Sequence, residues 1–232
     1  MEKPKLLKNE PSITYFTKNG LYLNVTNRCD NKCIFCLSNF SQGLKQYNLM
    51  LQQDPGLNEV WQDVFDKASG RNFEEIVYCG FGEPLLRLDD IVLPLSPRLK
   101  QEFSKPIRVD TNGHVLYHYS NRNIPKELVG VGVSRISVSL NAENCQVYNK
   151  LCRPNFIKNE EDSQAYELLL KFISQCFNQP GLKTEATAVD FPEGVLPRGI
   201  PVPDMEKCEK VAHDLGVSLR VRTYQGPRIR RV

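Results

Sequence analysis

Three features of the 232-residue sequence predict an α/β fold, a partial (β/α)6 TIM-like barrel with a short N-terminal β-hairpin. β-rich runs recur at 21–25, 75–79, 107–111, 135–140, 183–189 and 218–224, six in all, with helix-length spacers between most of them. Strands that alternate with helices pair in parallel through right-handed crossovers, and six such units curve into an incomplete barrel. Five of the six runs also alternate apolar with polar residues, although parallel strands covered on both faces are ordinarily apolar throughout. A polar inner face calls for a cavity holding ligand and water, because burying that many charges in a filled core costs several kcal/mol for each unpaired ion.

The chain opens with two β-rich runs, 12–16 and 21–25, joined through Thr17-Lys18-Asn19-Gly20, and Asn-Gly between such runs signals a hairpin. One domain is the default at this length, divided into an N-terminal extension with the hairpin (1–20), the partial barrel (21–224) and a basic tail (225–232). After a mixed stretch to Leu51, Asp54-Pro55-Gly56 leads into a helix with Leu57, Val60, Trp61, Val64, Phe65 and Ala68 at helical spacing, stopped by Gly70. Further helices are expected at 86–103, 163–177 and 205–215, with shorter ones at 125–129 and 144–151. Segment 191–203 is too rich in proline and glycine for a helix or central strand and reads as a long loop on the C-terminal rim.

The composition, 41% hydrophobic and 25% charged, is that of an ordinary globular domain. No apolar run approaches the roughly 18 residues of a membrane span, and Met1-Glu2-Lys3-Pro4-Lys5 lacks the apolar core of a signal peptide, so a cytoplasmic location is expected. A net charge of +3 implies no nucleic-acid footprint over the whole surface. Arg220, Arg222, Arg228, Arg230 and Arg231 nevertheless crowd the C-terminal end, as suits either phosphate contact or a solvated tail.

The chemistry concentrates in Cys29-Asp30-Asn31-Lys32-Cys33-Ile34-Phe35-Cys36, three thiols with no local fourth. Structural zinc sites and fully protein-ligated iron–sulfur clusters take four ligands, so three point to a metal site with one open position. The competing readings are a zinc knuckle with a distant fourth ligand and unrelated buried cysteines; Asn27, Arg28, Asp30, Asn31 and Lys32 make a polar, turn-like loop that favours an ion. Of the other cysteines, Cys176 and Cys208 sit in helical patterns as small core residues. Cys145 and Cys152 are too far apart to make a ligand pair by themselves, and with Cys79 they supply no clustered set for a second cluster.

With Phe35 just before its last cysteine, this clip resembles that of the radical S-adenosylmethionine (radical SAM) superfamily. Together with Tyr47-Asn48-Leu49, Cys79-Gly80-Phe81-Gly82-Glu83-Pro84, Asp110-Thr111-Asn112-Gly113 and Ser137-Val138-Ser139-Leu140-Asn141-Ala142, it is similar to the small radical SAM proteins linked to TatD-type nucleases, over 21–224. The resemblance implies a [4Fe-4S] cluster on Cys29, Cys33 and Cys36, whose remaining iron S-adenosylmethionine (SAM) chelates. It also implies an electron donor such as flavodoxin or ferredoxin, a 5′-deoxyadenosyl radical acting on an unidentified substrate, and a functional link to a TatD-type nuclease. It assigns Phe35, Gly82, Glu83, Pro84, Asp110, Asn112, Ser139 and Asn141 to the cofactor; Phe81 departs from the family's usual glycine.

On the polar strand faces, Arg108 is expected to pair with Glu185, and Arg220 and Arg222, with Tyr224, to form the substrate-side wall. His114 reads as a surface histidine. Two alternatives stand beside this reading: an enzyme like 7-carboxy-7-deazaguanine synthase, and a zinc- or cluster-binding module that docks on nucleic acid through its arginines.

Overall fold

The β-branched and aromatic runs form strands in the computed structural model, which describes residues 10–17 and 19–229. β1 (Thr14–Thr17) and β2 (Gly20–Leu23) make the antiparallel hairpin. Thr17 pairs with Gly20, so Gly20 belongs to the strand and not to the turn that Asn-Gly suggests. A small ribbon, β3 (Gly43–Leu44) with β4 (Tyr47–Asn48), occupies the stretch that showed no clear periodicity. The parallel strands β5 (Glu75–Tyr78), β6 (Ile107–Thr111), β7 (Val133–Ser139), β8 (Lys183–Asp190) and β9 (Ser218–Thr223) continue from β2. The order β1-β2-β5-β6-β7-β8-β9 places all six predicted strands in one sheet, which does not close.

The first helix, α1 (Leu57–Ala68), buries Val60, Val64 and Ala68, four residues apart, and Glu59 caps it by accepting from the Gly56 amide. The helix expected at 86–103 is instead three pieces: a 3-10 turn (Pro84–Arg87), a π turn (Leu88–Val92) and α2 (Leu93–Phe103). Pro94 and Pro97 give no amide hydrogens to the carbonyls one turn earlier, so a regular α ladder cannot run through this segment. After β6 come the single turn α3 (Val115–His118) and α4 (Ile124–Gly130). Then follow α5 (Cys145–Cys152), α6 (Gln164–Phe177) and α7 (Met205–Asp214), with Asn144 capping α5 and Asp204 capping α7.

Leu21, Leu23, Ile76, Tyr78, Ile107, Val109, Ile136 and Val138 are buried, joining Leu169, Phe172 and Ile173 of α6 in one core. Gly113, at φ +84°, turns the chain out of β6 so tightly that a Cβ there would sit 2.6 Å from Leu169 Cδ1. The expected apolar face fails only at β9, where Val221 is 47% exposed: an edge strand has no neighbour on one side, and α7 covers only part of it. Among the described residues no helix is long and apolar enough to cross a membrane. The arginines at 230 and 231 lie outside the described residues.

Because Phe172 is fully buried where α6 meets the sheet, Phe172→Ala is expected to cost about 3–5 kcal/mol. Urea unfolding checks this, and a loss below about 1 kcal/mol would contradict the packing.

Candidate functional site

The loop carrying the cysteines leaves β2 at the C-terminal end of the parallel strands, and buried polar groups fix its path. Asn24, just past β2, is fully buried; its Nδ2 donates to the Ser12 and Leu49 carbonyls (3.1 and 2.9 Å), and its Oδ1 accepts from the Phe81 amide. The turn after β5 lies directly on this loop: the Gly82 amide donates to the Thr26 carbonyl (2.9 Å) and the Glu83 amide to the Arg28 carbonyl (2.8 Å). A Cβ at Gly80 would sit 2.1 Å from Asn24 Oδ1, and one at Gly82 2.3 Å from the Arg28 carbonyl oxygen. Close backbone approach therefore requires both glycines, while Phe81 between them faces the cavity of the cysteines and has room.

Cys29, Cys33 and Cys36 line one cavity of about 360 Å³ together with Phe81, Lys32 and Arg153. Cys29 Sγ accepts from the Asn31 amide (3.4 Å) and from Asn112 Nδ2 (3.7 Å), Cys36 Sγ lies 3.0 Å from Ser38 Oγ, and the Cys33 thiol neighbours that of Cys152. Among the described residues no three His, Cys, Asp or Glu side chains converge as a formed metal site; the thiols share the cavity without meeting at a point. Burial, with the Glu83 carboxylate next, pushes the Cys29 thiol well above the usual range, and the neighbouring Cys152 thiol, with burial, does the same to Cys33. Neutral thiols give up their protons when a cation takes them, and N–H donors aimed at sulfur favour the thiolate. Three soft donors with N–H groups on Cys29 fit iron–sulfur ligation.

Cys152 is a residue that the sequence spacing leaves apart from the clip. The end of α5 runs alongside it: the Lys32 amide donates to the Cys152 carbonyl (3.0 Å) and the Ile34 amide to the Leu151 carbonyl (2.9 Å). No local pattern signals a contact across more than a hundred residues.

Behind the clip lies a buried polar network. Glu83 accepts from the Leu85 amide (3.0 Å), Thr111 Oγ1 (2.7 Å) and the Asn112 amide (2.7 Å), so protein donors occupy both carboxylate oxygens. Asn112 Nδ2 donates to Asp30 Oδ1 (2.5 Å), whose Oδ2 meets His118 Nε2 (3.0 Å). His114, read as a surface residue, is in fact fully buried: Gly113 turns the chain inward and His114 Nε2 meets the Tyr148 hydroxyl (3.1 Å), which also accepts from Asn31 Nδ2. Burial pulls the His114 imidazole down to about 4, so it is neutral.

At the strand ends, Ser139 is half-buried and its hydroxyl has no protein partner among the described residues. Asn141 takes the left-handed conformation (φ +58°), with its amide on the Thr187 carbonyl (3.1 Å) and its Nδ2 on Cys152 Sγ (3.6 Å). Its buried Oδ1 has no partner among the described residues. Phe35 packs edge-on to Phe191 of the rim loop (5.3 Å), and Phe191 packs on Tyr224 (5.4 Å). The Tyr224 hydroxyl donates to the Pro227 carbonyl, so this side chain joins the C-terminal tail to Phe191 at the start of the rim loop.

Down the trough the ion pairs differ from expectation. Arg108 pairs with Asp110 (2.8 Å) and Glu75 (3.1 Å), while Glu185 pairs with Arg220 (2.9 Å). The strand register accounts for this: Asp110 shares a strand with Arg108, and Glu185 neighbours the β9 residues. Arg222 donates only to Thr187 Oγ1 (3.4 Å) and has no ion pair among the described residues, with the like-charged Arg220 near it.

Burial raises the Glu83 carboxyl to about 8, against the opposing bond from the Asn112 amide. The folded chain thus holds this proton over a range where the unfolded chain has released it. The associated stability is fully present below the unfolded value of 4.5 and is lost as pH rises through about 8. Glu83→Gln should flatten that decline in urea-unfolding free energy measured between those two values; an unchanged slope would assign the decline to other groups.

Comparisons with known proteins bear on this geometry. A family model described as the radical SAM superfamily matches residues 23–183. A probable GTP 3′,8-cyclase of Methanocaldococcus jannaschii is 27% identical over 168 residues, covering 68% of this chain and 51% of the relative. A GTP 3′,8-cyclase of Brucella abortus is 28% identical over 156 residues, covering 66% and 42%. The chain therefore spans about half the length of these curated relatives. Among solved structures, Streptococcus suis SuiB bound to S-adenosylmethionine aligns with a TM-score of 0.58 at 15% identity, covering 91% of this chain and 42% of SuiB. HydG, a maturase of the [FeFe]-hydrogenase, aligns at 0.54 and 14%, covering 90% and 42%. These structural likenesses show the fold.

Proposed function

Because this chain belongs to the radical SAM superfamily, we propose that it is an enzyme that binds one [4Fe-4S] cluster on Cys29, Cys33 and Cys36. It binds SAM beside the cluster and abstracts hydrogen from a substrate held in the polar trough. The single observation that carries this reading is the set of three thiols lining one cavity at the C-terminal end of the parallel strands, with amide donors aimed at Cys29. When bound, the cluster supplies the electron that cleaves SAM to methionine and a 5′-deoxyadenosyl radical.

The chain's own residues then do four things. The Gly80–Pro84 turn holds the thiol loop against the sheet, and the Phe81 ring shields the cavity from water. Ser139 and the free Oδ1 of Asn141 offer hydrogen bonds to the polar parts of SAM at the strand ends, with Asp110 and Asn112 on the neighbouring strand. Arg222, without a carboxylate partner, and Arg220 face the substrate. Phe35, Phe191 and Tyr224 close the rim.

Eight free thiols suit a reducing cytoplasm with a flavodoxin or ferredoxin as electron donor. The region shared with the GTP 3′,8-cyclases supports a common SAM-cleaving core. The narrower likeness, to radical SAM proteins linked to TatD-type nucleases, rests on motif order and supports a functional link with such a hydrolase.

Anaerobic reconstitution tests the assignment. Iron and sulfide in equal amounts, broad visible absorbance and 5′-deoxyadenosine formation under reduction are expected, and all are lost in Cys33→Ala. Stoichiometric zinc without iron would establish the binding-module alternative instead. In the reconstituted protein, Ser139→Ala should keep its iron and weaken SAM binding by about 1–3 kcal/mol, the usual cost of one lost hydrogen-bonding partner; unchanged affinity by equilibrium dialysis would remove Ser139 from the cofactor shell.

A further inference from the structure

The opposite end of the trough, at the N-terminal ends of the parallel strands, is a second concavity with its own chemistry. Its volume is about 400 Å³, and Arg108, Arg135, Lys183 and Arg220 line it with Glu75 and Glu185. Strand register explains the crowding. Arg108 of β6 pairs with Arg135 of β7, and Arg135 with Lys183 of β8. Residues paired across adjacent strands project to the same face, so three cations stand side by side on the inner face of the sheet.

Like charges directly opposite one another on neighbouring strands are destabilising. The protein relieves this row only in part. Glu75 lies 3.1 Å from Arg108 and 3.6 Å from Arg135, and Glu185 is taken by Arg220. Lys183 is exposed and has no ion pair among the described residues. Four cations against the two lining carboxylates leave two positive charges in excess; Asp110, level with Ser137 and ion-paired with Arg108 (2.8 Å), takes one of them, and Lys183 keeps the other. Ser137, Ser218 and the Tyr22 hydroxyl stand among the cations.

We infer that this bowl binds the phosphoryl group of a small phosphate-monoester substrate. An anion answers the uncompensated Lys183, and a phosphoryl group has enough oxygens to meet Lys183 and the exposed Arg135 together, where a carboxylate has two. Guanidinium forks with hydroxyls around them suit the several acceptor oxygens of a phosphoryl group. The inference rests on the reading that the trough holds the substrate of a SAM-derived radical, and it adds a length. Two residues along a strand span about 7 Å, so Ser139 stands about 7 Å above the level of Ser137 in the bowl. The carbon that loses hydrogen therefore lies one or two such steps from the phosphorus, as in a phosphorylated metabolite of modest length.

The test is anaerobic calorimetry on the cluster-reconstituted full chain, titrated with inorganic phosphate and separately with acetate. Saturable one-site phosphate binding is expected, about tenfold or more weaker in both Lys183→Gln and Arg135→Gln, with acetate not binding measurably. Lys183 makes no ion pair that folding relies on, so its variant keeps the test valid if Arg135→Gln unfolds. Absence of phosphate binding, binding unchanged in Lys183→Gln, or acetate binding as tightly as phosphate overturns the inference. Iron content and 5′-deoxyadenosine formation in the same preparation report on the radical reading alone, so the two failures are distinguishable.

Discussion

Glu83 accepts three hydrogen bonds at once, from Leu85, Thr111 and Asn112, and in doing so ties the turn after β5 to the end of β6. Asn112, held at its backbone, then reaches Asp30 and Cys29 with its side chain. The two glycines beside Glu83 bring the turn into contact with the backbone of the thiol loop, where no side chain fits. A buried carboxylate without such donors would cost several kcal/mol, and here the donors come from the strands that must be held in register for the cavity to exist. The position of the thiols relative to the sheet depends on this group together with Asn24 and the backbone bonds from Lys32 and Ile34 to the end of α5.

The parallel sheet was legible because each strand carries a periodic, β-branched run bounded by turn residues, and because polar positions such as Asp110, Ser137 and Glu185 alternate with apolar ones. The clip was legible because its ligands are local. What stayed hidden was long-range. Cys152 meets Cys33 through packing of α5, His114 turns inward because Gly113 takes a positive φ, and both depend on contacts that no window of sequence contains. The irregular 84–97 segment was readable in principle from Pro94 and Pro97. Arg135 and Lys183 follow from carrying the same alternation two residues back from Ser137 and Glu185, to the strand starts.

The trough contains two populations of charge. Arg108, Asp110 and Glu75 are mutually satisfied, as are Arg220 and Glu185, and such pairs hold the inner walls apart at modest net gain. Arg222 and Lys183 are spared from that pairing, one near the middle of the trough and one at its lower end. An incomplete barrel makes this arrangement tolerable, since the unclosed edge at β9 leaves water to solvate what no carboxylate neutralises.

Asn141 has a consequence of a different kind. A left-handed backbone is strained for a residue with a side chain, asparagine tolerating it better than most, and here that conformation is secured by the bond to Thr187 and by the contact with Cys152. Freezing a side chain at the moment a ligand arrives costs about 0.5–1.5 kcal/mol in lost rotamer freedom. For Asn141 that entropy is surrendered during folding, and its acceptor oxygen awaits a donor already aimed. Affinity at this position is therefore set by the rigidity of the strand end, and loosening the α5 contact would weaken binding without touching any atom of the ligand.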